Sequence, residues 1–509
     1  MSNISLFFLP LLSGILLALS FPEADISVLA WVALIPLLYS IRDKSPRQSF
    51  KEGFVAGIAF YALSLRWVLI VMRSYGGIGF FSSFFLLLAL SAYLALYIGA
   101  FAWLYVKARE HAGTASVLLA PAFWVALEML RNYLLSGFPW NLLGYSQHQN
   151  LPLIQIADIA GVYGVSALIV MTNAAISEFI AVMSYREYAD YRKIVWPVAA
   201  VAVMAASAVY GHYRLANLPR PYDSMKVTVV QGDIDQFRKW DPAFQSEVFD
   251  VYKKLTSEAA VQKPDLIIWP ETATPFYFQD RILGEELSDS VKKANTWLLT
   301  GSPSIEDHGS DSVEYNSAYL INPSGIETDR YDKMHLVPFG EYVPLKTLLP
   351  FVSKMVHGIG DFGKGRDYTV MRMSKGSFGT AICFEVIFPE LVRQFVLGGA
   401  NFLTSITNDA WFGNSGAPYQ HFDMSVFRAV ENRRAMVRAA NTGISGVILP
   451  SGEVIATTSI FKRDTMTAEV PLMEEKTFYT LYGDIFGYFC SLITTCFIAI
   501  ILYRRFLKR

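Results

Sequence analysis

The chain has 509 residues, of which 53% are hydrophobic and only 17% are charged, and its mean hydropathy is +0.33. Soluble globular chains carry about 25% charged residues, so this deficit predicts membrane-spanning segments. The formal net charge of −1 argues against a nucleic-acid partner, because nucleic acids attract proteins with excess positive charge. The sequence shows no low-complexity tract and no internal repeat of a common period.

Eight apolar stretches each approach the roughly 20 residues that a helix needs to cross a bilayer. They predict a membrane α-helical bundle of about eight spans, at 4–20, 25–41, 53–72, 80–106, 117–135, 160–183, 194–212 and 485–503. The chain therefore divides into three predicted regions. These are a seven-span region over 1–215, a polar domain over 216–480, and a final span with a basic tail over 481–509.

Lysine and arginine are distributed unevenly among the loops. One alternate set of loops and the tail hold Arg42, Lys44, Arg47, Lys51, Lys107, Arg109, Arg186, Arg192, Lys193, Arg504, Arg505, Lys508 and Arg509. The other loops hold only Arg73 and Arg131. Because basic loops stay in the cytoplasm, the polar domain is expected on the extracytoplasmic side of the membrane.

A longer loop at 136–155, on the same side as the polar domain, is rich in aromatic residues such as Trp140 and Tyr145. Two interpretations are equally open. The aromatic residues could form an interfacial belt at the membrane surface. Alternatively, they could form a lipid-facing wall beside an active site.

The polar domain alternates short β-rich runs with amphipathic stretches, which predicts an α/β layered domain. Strands are expected at 226–230, 265–269, 297–300, 378–382 and 401–407, hairpins at 316–333 and 446–456, and helices at 244–262, 281–296 and 418–440. A domain of this length can bury one substantial core.

Cysteine is rare, and Cys383 is the only one of three outside the apolar C-terminal run. Cys490 and Cys496 lie in the predicted last span, so Cys383 has no expected disulfide partner. A lone thiol either fills a core position or acts as a nucleophile, and composition alone favours the core position.

Three side chains with complementary chemistry lie near the ends of predicted strands. Glu271 follows the run IIWP at 267–270, Lys333 lies in DKMHLVPFGEYVP at 332–344, and Cys383 ends the strand in AICFE at 381–385. A carboxylate whose pKa is raised by partial burial can take the thiol proton, and a fixed ammonium can stabilise an oxyanion. Together they fit acyl transfer through a thioester, although each alone also fits a surface or core residue.

The surrounding strings resemble the nitrilase superfamily and, within it, the apolipoprotein N-acyltransferases. They are VVQGDI at 229–234, KW at 239–240, IIWPE at 267–271, DKMHLVPFGEYVP at 332–344, AICFE at 381–385, SITNDAWFG at 405–413, FPW at 138–140 and LGYS at 143–146. The resemblance covers nearly the whole chain. It implies an αββα sandwich for the polar domain, no metal or organic cofactor, and a multi-pass bacterial inner-membrane protein with its catalytic domain in the periplasm.

The resemblance further implies an N-acyltransferase of lipoprotein maturation. A fatty acyl chain would pass from a phospholipid, typically phosphatidylethanolamine, to Cys383 and then to the α-amino group of the diacylglyceryl-modified N-terminal cysteine of an apolipoprotein. Glu271 is implied as the base and Lys333 as the oxyanion partner. Glu341 would be a second carboxylate that positions Lys333 or assists proton transfer.

Four more positions match motifs that shape the pocket or its mobile lid: Trp240, Glu385, Asn408 and Trp411. The residue after the nucleophile is often tyrosine in this family and is Phe384 here. A hydroxyl role is therefore absent, while a role in lining an acyl pocket remains.

Several other conspicuous side chains are interpreted as structural. His335 and His421 are expected to have no role in the chemistry. Arg433, Arg434 and Arg438 are expected on a polar face of the predicted 418–440 helix, with a phosphate clamp as the alternative.

Two other functions compete with acyl transfer. A membrane-tethered amidase or nitrilase would use water to resolve the thioester, but a soluble substrate would not need eight spans. A transporter or receptor with a degenerate domain is the other alternative. Arg66, Glu128 and Glu178 are the main ionisable residues within the spans, which supports a transport path poorly.

Overall fold

The computed structural model describes residues 7–184, 194–308, 311–342 and 362–507. The end of the predicted string at 332–344 and the basic-loop residues Arg186, Arg192 and Lys193 lie outside these ranges.

The first part of the described chain is helical. Its helices are α1 (Phe8–Leu19), α2 (Ile35–Ser40), α3 (Pro46–Ser64), α4 (Val68–Ile70), α5 (Phe80–Ala112), α6 (Ser116–Tyr133), α7 (Leu151–Ile154), α8 (Ala157–Ser184) and α9 (Val195–Ala216). Short helical turns lie between these helices. They include 3₁₀ turns at Ser27–Trp31 and Leu143–Gln147 and a π-helical turn at Val71–Tyr75. The last helix of the chain, α16 (Ile485–Leu507), is also apolar.

The predicted number of eight spans is not confirmed. By length and composition, four segments of the described chain could cross a membrane: Phe80–Ser136, Ala157–Met183, Val195–Ala216 and Ile485–Leu507. A fifth results if Pro46–Ser64 and Val68–Tyr75, bent by 60°, count as one span. The first segment contains both α5 and α6, two predicted spans, and the rings of Phe101 and Trp124 contact each other across them at 5.0 Å.

The prediction of one continuous span over 25–41 is not confirmed. This stretch instead forms the turn Ser27–Trp31 and the short helix α2, which begins with Pro36 in its first turn. The interruption is stabilised by tertiary contacts, because the Leu34 N–H donates to Asn173 Oδ1 at 2.9 Å. A polar partner from another helix thus satisfies a backbone group that a continuous helix would have used.

Three charged residues within the predicted spans have partners in the structure. Arg66 pairs with Glu23, Glu128 accepts from Trp124 and from the Leu143 N–H, and Glu178 pairs with Arg109. Glu128 and Glu178 thus each have a partner within the helical part, as is expected for structural residues in a membrane protein.

The polar domain contains two six-stranded sheets. Their strands are β1 (Asp223–Gln231), β2 (Leu266–Ile268), β3 (Trp297–His308), β4 (Asp311–Ile321), β5 (Glu327–Asp332), β6 (Val370–Arg372), β7 (Ser377–Ile382), β8 (Phe402–Thr407), β9 (Met436–Ala440), β10 (Gly446–Ile448), β11 (Val454–Thr457) and β12 (Asp464–Leu472). The orders are β12-β1-β2-β3-β4-β5 and β11-β10-β9-β8-β7-β6. Both sheets have three parallel strands at the centre, β1-β2-β3 and β7-β8-β9, and antiparallel strands outside.

The two sheets share one core, and helices cover their outer faces. In β2, Leu266 and Ile268 belong to the core shared with Ile382 and Ile406 of the second sheet, whereas Ile267 belongs to a separate cluster on the opposite face. This alternation follows from the two-residue period of a strand. The outer helices are α10 (Gln236–Lys239), α11 (Gln245–Ala260), α12 (Arg281–Ala294), α13 (Pro389–Leu397), α14 (Ala417–Asn432) and α15 (Phe478–Tyr482).

The predicted helix over 418–440 ends early. Helix α14 stops at Asn432 because Arg433 adopts a left-handed conformation with φ of 50°, and residues 436–440 then form β9. The run RRAMVRAA has good helix-forming residues, but pairing beside β8 overrides this propensity. The strands β6 and β12 also were not expected from the sequence pattern.

Helix α14 joins the two halves of the described chain. Its Glu431 carboxylate accepts from the Val162 N–H at the break in α8 at 3.1 Å, and the adjacent Arg433 pairs with Asp158 at 2.8 Å. These groups are buried, so the α/β domain is held against the helical part through polar contacts as well as packing.

Candidate active site

Glu271 lies three positions after the end of β2 at Ile268, and Pro270 immediately precedes it. Its buried carboxylate accepts three hydrogen bonds. Oε1 accepts from Asn316 Nδ2 at 2.8 Å and from Lys333 Nζ at 3.2 Å, and Oε2 accepts from the Asn408 N–H at 2.9 Å. Donors from within β4 and from just after β5 and β8 therefore hold this carboxylate in one orientation.

Lys333 follows β5 and is almost fully buried. Its ammonium donates to Glu341 Oε1 at 2.8 Å as well as to Glu271, and its backbone N–H donates to the Asn316 carbonyl at 2.9 Å. An ammonium has three N–H donors, and the two recorded acceptors leave one for a further partner. Two carboxylates thus share a single buried cation.

Cys383 ends β7 and begins a turn of 3₁₀ helix at Cys383–Ile387. Its φ of 54° lies in the left-handed region, which non-glycine residues rarely adopt. Such strained backbone persists where the surrounding structure enforces it, and it recurs at functional sites. The charges of Glu271 and Lys333 both act on this thiol, so the structure brings the three predicted residues into one buried cluster.

The electrostatics of the cluster differ from the prediction for Glu271. Burial opposes its charged form, but Lys333, the Asn316 amide and Lys239 together hold the pKa of Glu271 below its usual value. The predicted raised pKa is therefore wrong, because the cations outweigh desolvation. Burial and then the negative charge of Glu271 raise the pKa of the Cys383 thiol, which keeps it protonated at rest.

Lys333 remains charged in this setting. Burial alone would lower its pKa, but the negative charges of Glu271 and Glu341 raise the pKa well above the usual lysine value. The site therefore contains an ionised carboxylate, a protonated thiol and a permanent ammonium. This is a set that can move one proton and stabilise one developing negative charge.

Lys239 is a component of the site that the sequence prediction missed. It is buried, and its ammonium donates to the Glu271 carbonyl at 3.0 Å and to Thr272 Oγ1 at 2.6 Å. Burial lowers the pKa of Lys239 to about 8. Its position in the KW string at 239–240 could have indicated a role in the site. The sequence prediction instead named the adjacent Trp240, whose side chain is 47% exposed.

Glu385 connects the Cys383 turn to the Lys333 segment. Its buried carboxylate accepts from the backbone N–H groups of Met334 at 2.7 Å, His335 at 3.0 Å and Ile382 at 2.8 Å, and from the Tyr331 hydroxyl at 2.8 Å. Burial raises the pKa of Glu385 to about 7. These contacts assign it to positioning of the site rather than to a lid.

Glu341 and Phe384 flank the three-residue cluster. Glu341 also accepts from Asn316 Nδ2 at 3.0 Å and from the Val337 N–H at 2.9 Å, so its carboxylate is tied to its own loop. Phe384 is buried, with its ring 5.3 Å from Phe388. An apolar wall therefore lies directly beside the thiol-bearing residue.

Asn408 and Trp411 lie in the segment after β8. The Asn408 side chain donates to Gln236 Oε1 at 2.6 Å, while its backbone N–H holds Glu271. Trp411 is half-buried and contacts the Tyr75 ring at 5.0 Å. The Tyr75 hydroxyl donates to the Ala410 carbonyl at 2.8 Å, so this segment packs on the helical part of the chain.

His421 is buried behind Cys383. Its Nε2 lies 3.1 Å from the Cys383 carbonyl oxygen and donates to it, because a carbonyl only accepts. Arg438 donates to Asp409 at 2.8 Å and to His421 Nδ1 at 2.9 Å. The structural interpretation of His421 agrees with these contacts, which support the turn that carries the thiol.

The three arginines do not form a polar helix face. All are buried: Arg433 pairs with Asp158, Arg434 donates to the carbonyls of Ala400 and Glu475, and Arg438 pairs with Asp409. That interpretation is wrong because all three lie beyond the end of α14 at Asn432, where partners from other parts of the chain accept their hydrogen bonds.

The interpretation of Trp140 and Tyr145 as an interfacial belt is also wrong. Both are buried against α14. Trp140 Nε1 donates to Gln420 Oε1 at 2.7 Å, and its ring contacts His421 at 5.5 Å. The loop is therefore a packed wall close to the site.

Comparison with known proteins agrees with this architecture. Residues 13–175 match the family model described as apolipoprotein N-acyltransferase N-terminal domain, and residues 226–477 match the carbon-nitrogen hydrolase model. Together with the two sheets, the second match supports the predicted nitrilase-like fold. Among solved structures, Saccharomyces cerevisiae Nit3 has a TM-score of 0.39 and 19% identity, covering 49% of this chain and 91% of Nit3.

Curated relatives match over nearly the whole chain. The apolipoprotein N-acyltransferase of Geobacter metallireducens is 46% identical over 486 residues, which is 95% of this chain and 93% of that protein. The enzyme of the same name from Chlorobaculum tepidum is 34% identical over 521 residues, covering 95% and 94%. The chain therefore belongs to the apolipoprotein N-acyltransferase family, and it is a membrane acyltransferase of the carbon-nitrogen hydrolase superfamily.

Proposed function

We propose that this protein moves a fatty acyl chain from a phospholipid, through a thioester on Cys383, to the α-amino group of the N-terminal diacylglyceryl-cysteine of an apolipoprotein. The observation that carries the proposal is the buried cluster of Glu271, Lys333 and Cys383 at three strand ends. Phosphatidylethanolamine is the expected donor.

In the first step, the Cys383 thiol gives its proton to the Glu271 carboxylate as sulfur attacks the ester carbonyl of the phospholipid. The thiol pKa is raised and that of Glu271 is lowered, so the proton moves only as the carbon–sulfur bond forms. The carbon–oxygen bond to glycerol then breaks. Glu271 returns the proton to that oxygen, which releases a lysophospholipid.

In the second step, the neutral α-amino group of the acceptor attacks the thioester. Glu271 takes a proton from the amine, an amide forms, and Cys383 leaves and regains its proton. Lys333 directs its remaining N–H at the oxygen that becomes negative in each step. Glu341 keeps that ammonium in place through the 2.8 Å contact.

Lipid access is supported by the contact between the site segment and the helical part. Tyr75, which contacts Trp411, ends the π-helical turn Val71–Tyr75. A cavity of about 430 Å³ adjoins this turn and is lined by Arg73 and by apolar residues that include Leu69, Ile70 and Phe80. A cation among apolar side chains suits a phospholipid, whose phosphate is anionic and whose chains are apolar.

Mass spectrometry of the full-length protein in detergent tests the proposal. Incubation with phosphatidylethanolamine should increase the mass of the wild type by one acyl chain. When a diacylated lipopeptide is then added, the enzyme should lose this mass and the lipopeptide should gain it. Cys383→Ala should accumulate no acyl-enzyme, whereas Cys496→Ala, a control at an exposed cysteine in α16, should behave as the wild type.

Two outcomes of that experiment would contradict the proposal. An acyl adduct on Cys383→Ala would mean that another group is the nucleophile. Release of free fatty acid without transfer to the lipopeptide would favour the membrane-tethered hydrolase, in which water resolves the thioester.

We also propose that the catalytic domain lies on the periplasmic side of the bacterial inner membrane. The distribution of Lys and Arg among the loops supports this orientation. A cysteine introduced at Ser324, in the exposed turn between β4 and β5, should react with a membrane-impermeant maleimide in intact spheroplasts. Labelling only after lysis would contradict this orientation, and Lys44→Cys, in a predicted cytoplasmic loop, serves as the opposite control.

A further inference from the structure

Outside the active site, a second cluster of ionisable side chains lies where the helical part meets α14. Asp25 follows α1, His148 follows the 3₁₀ turn Leu143–Gln147, and Asp423 lies on α14. Their potential ligand atoms all lie within 4.8 Å of one another. None of these residues takes part in the chemistry proposed above.

Among the residues that the structure describes, no lysine or arginine pairs with either carboxylate as Lys333 pairs with Glu271 in the active site. Asp423 is only 7% exposed, and its Oδ2 has no hydrogen-bond partner among the described residues. Asp25 Oδ1 is likewise without a partner in that part of the chain, while Asp25 Oδ2 accepts from Gln149 Nε2 at 2.6 Å. Unpartnered buried oxygens are costly, so a partner of opposite charge is expected.

The geometry suits a small tetrahedral ion. His148 Nε2 lies 3.4 Å from Asp423 Oδ1 and 3.8 Å from Asp25 Oδ2. Neighbouring ligands of a tetrahedral zinc ion with bonds of about 2.0–2.1 Å lie about 3.4 Å apart. One imidazole and two carboxylates suit zinc better than magnesium or calcium, which prefer oxygen ligands throughout.

We propose that Asp25, His148 and Asp423 bind a zinc ion that fastens α14 to two loops of the helical part. The three residues would occupy three positions, and a water molecule would complete the fourth. Helix α14 also carries His421, whose Nε2 supports the Cys383 carbonyl. The ion would thus stabilise the junction behind the nucleophile without touching the reacting atoms.

Zinc binding by the full chain tests this site independently of acyl transfer. Tag-free protein in detergent is stripped with a chelator, titrated with Zn²⁺ by calorimetry, and its bound metal is counted by mass spectrometry. The wild type should bind a single Zn²⁺ ion. Asp423→Asn and His148→Gln should weaken binding by about 100-fold or more, because loss even of a group behind a ligand costs about 10–100-fold.

Matched controls separate this site from adventitious binding. Asp289→Asn and His212→Gln alter exposed residues of the same types and should keep the wild-type affinity. Unchanged zinc binding in Asp423→Asn and His148→Gln would overturn the proposal, as would absence of zinc binding by the wild type.

A measurement on the wild type alone covers the case in which the variants fail to fold. Zn²⁺ should raise the melting temperature of the chelator-treated protein, whereas Mg²⁺ at the same concentration should not. Co²⁺ in place of Zn²⁺ should show the strong visible absorption of a tetrahedral site. A weak octahedral spectrum, or equal stabilisation by Mg²⁺, would overturn the assignment to zinc.

Discussion

The pKa values of buried carboxylates are shifted in opposite directions in two clusters of this protein. In the active site, Glu271 and Glu341 share the ammonium of Lys333, and the pKa of Glu271 is held below its usual value. At the junction with the helical part, Asp423 faces Asp25 without such a cation, and its pKa is raised. Burial is common to both, so the presence of a fixed positive charge decides whether a buried acid is ionised.

This difference has a functional meaning. An ionised Glu271 can accept a proton at neutral pH only because Lys333 and Lys239 already offset its burial. The same lysine is then in position to stabilise a developing oxyanion. The ammonium of Lys333 therefore allows Glu271 to act in proton transfer. The cluster of Asp25 and Asp423 has no such ammonium, which favours binding of a cation from solution.

The largest effect on this comparison is expected from Glu271→Gln. The variant leaves Glu341 and Lys333 as a simple ion pair and removes the proton acceptor. Formation of the acyl-enzyme should slow by about 10²–10⁴-fold, the usual contribution of a general base. Single-turnover acylation followed by mass spectrometry measures this rate, and Glu453→Gln, at an exposed turn, is the control.

The same variant tests the direction of the pKa shift. A carboxylate with a depressed folded-state pKa contributes stability that is present above its unfolded pKa of about 4.3 and is lost as pH falls through the folded pKa. The wild type should therefore lose more stability than Glu271→Gln when the pH falls below about 4.3. Equal pH dependence of the two melting temperatures would contradict the lowered pKa.

A somewhat smaller loss of rate is expected from Lys333→Met, which makes the active site resemble the junction cluster. Acylation should fall by about 10²–10³-fold, as when one oxyanion donor is removed. Stability should also fall by about 3–5 kcal/mol, because two buried carboxylates lose their partner. Denaturant unfolding measures this change.

Lys292→Met is the matched control for that prediction, because Lys292 is exposed and pairs only locally with Asp289. Its effect should stay within about 0.5 kcal/mol. A Lys333→Met variant that is as stable as the wild type would mean that the two carboxylates do not depend on the shared cation.

The smallest effect is expected from Phe384→Tyr, which changes the apolar wall but no charge. Its ring packs beside Phe388 and His335, and the proposed steps use no hydroxyl at this position. The transfer rate should change by less than about tenfold, or about 1.4 kcal/mol, because the aromatic ring and the charges of the site are unchanged. A larger loss in the lipopeptide transfer assay would show that the wall must be free of polar groups.

Part of the site was predictable because its residues directly follow strong local patterns. Glu271 and Cys383 lie just after the buried apolar strands β2 and β7, one in each sheet, and such strands are recognisable from their hydrophobic runs. The sequence prediction missed Lys239 because a lysine beside a tryptophan resembles a surface residue. Only the structure shows that its ammonium is buried and donates to the Glu271 carbonyl.

The sequence by itself indicated the division into a helical part and an α/β domain, most strands of the sheets, and the three residues Glu271, Lys333 and Cys383 that the structure brings together. These depend on local hydrophobic periodicity and on short strings. Tertiary structure alone decided the end of α14 at Arg433, the lowered pKa of Glu271 and the meeting of Asp25, His148 and Asp423. Each of these features depends on charges or strand partners that are distant in the chain, so no local sequence pattern predicts it.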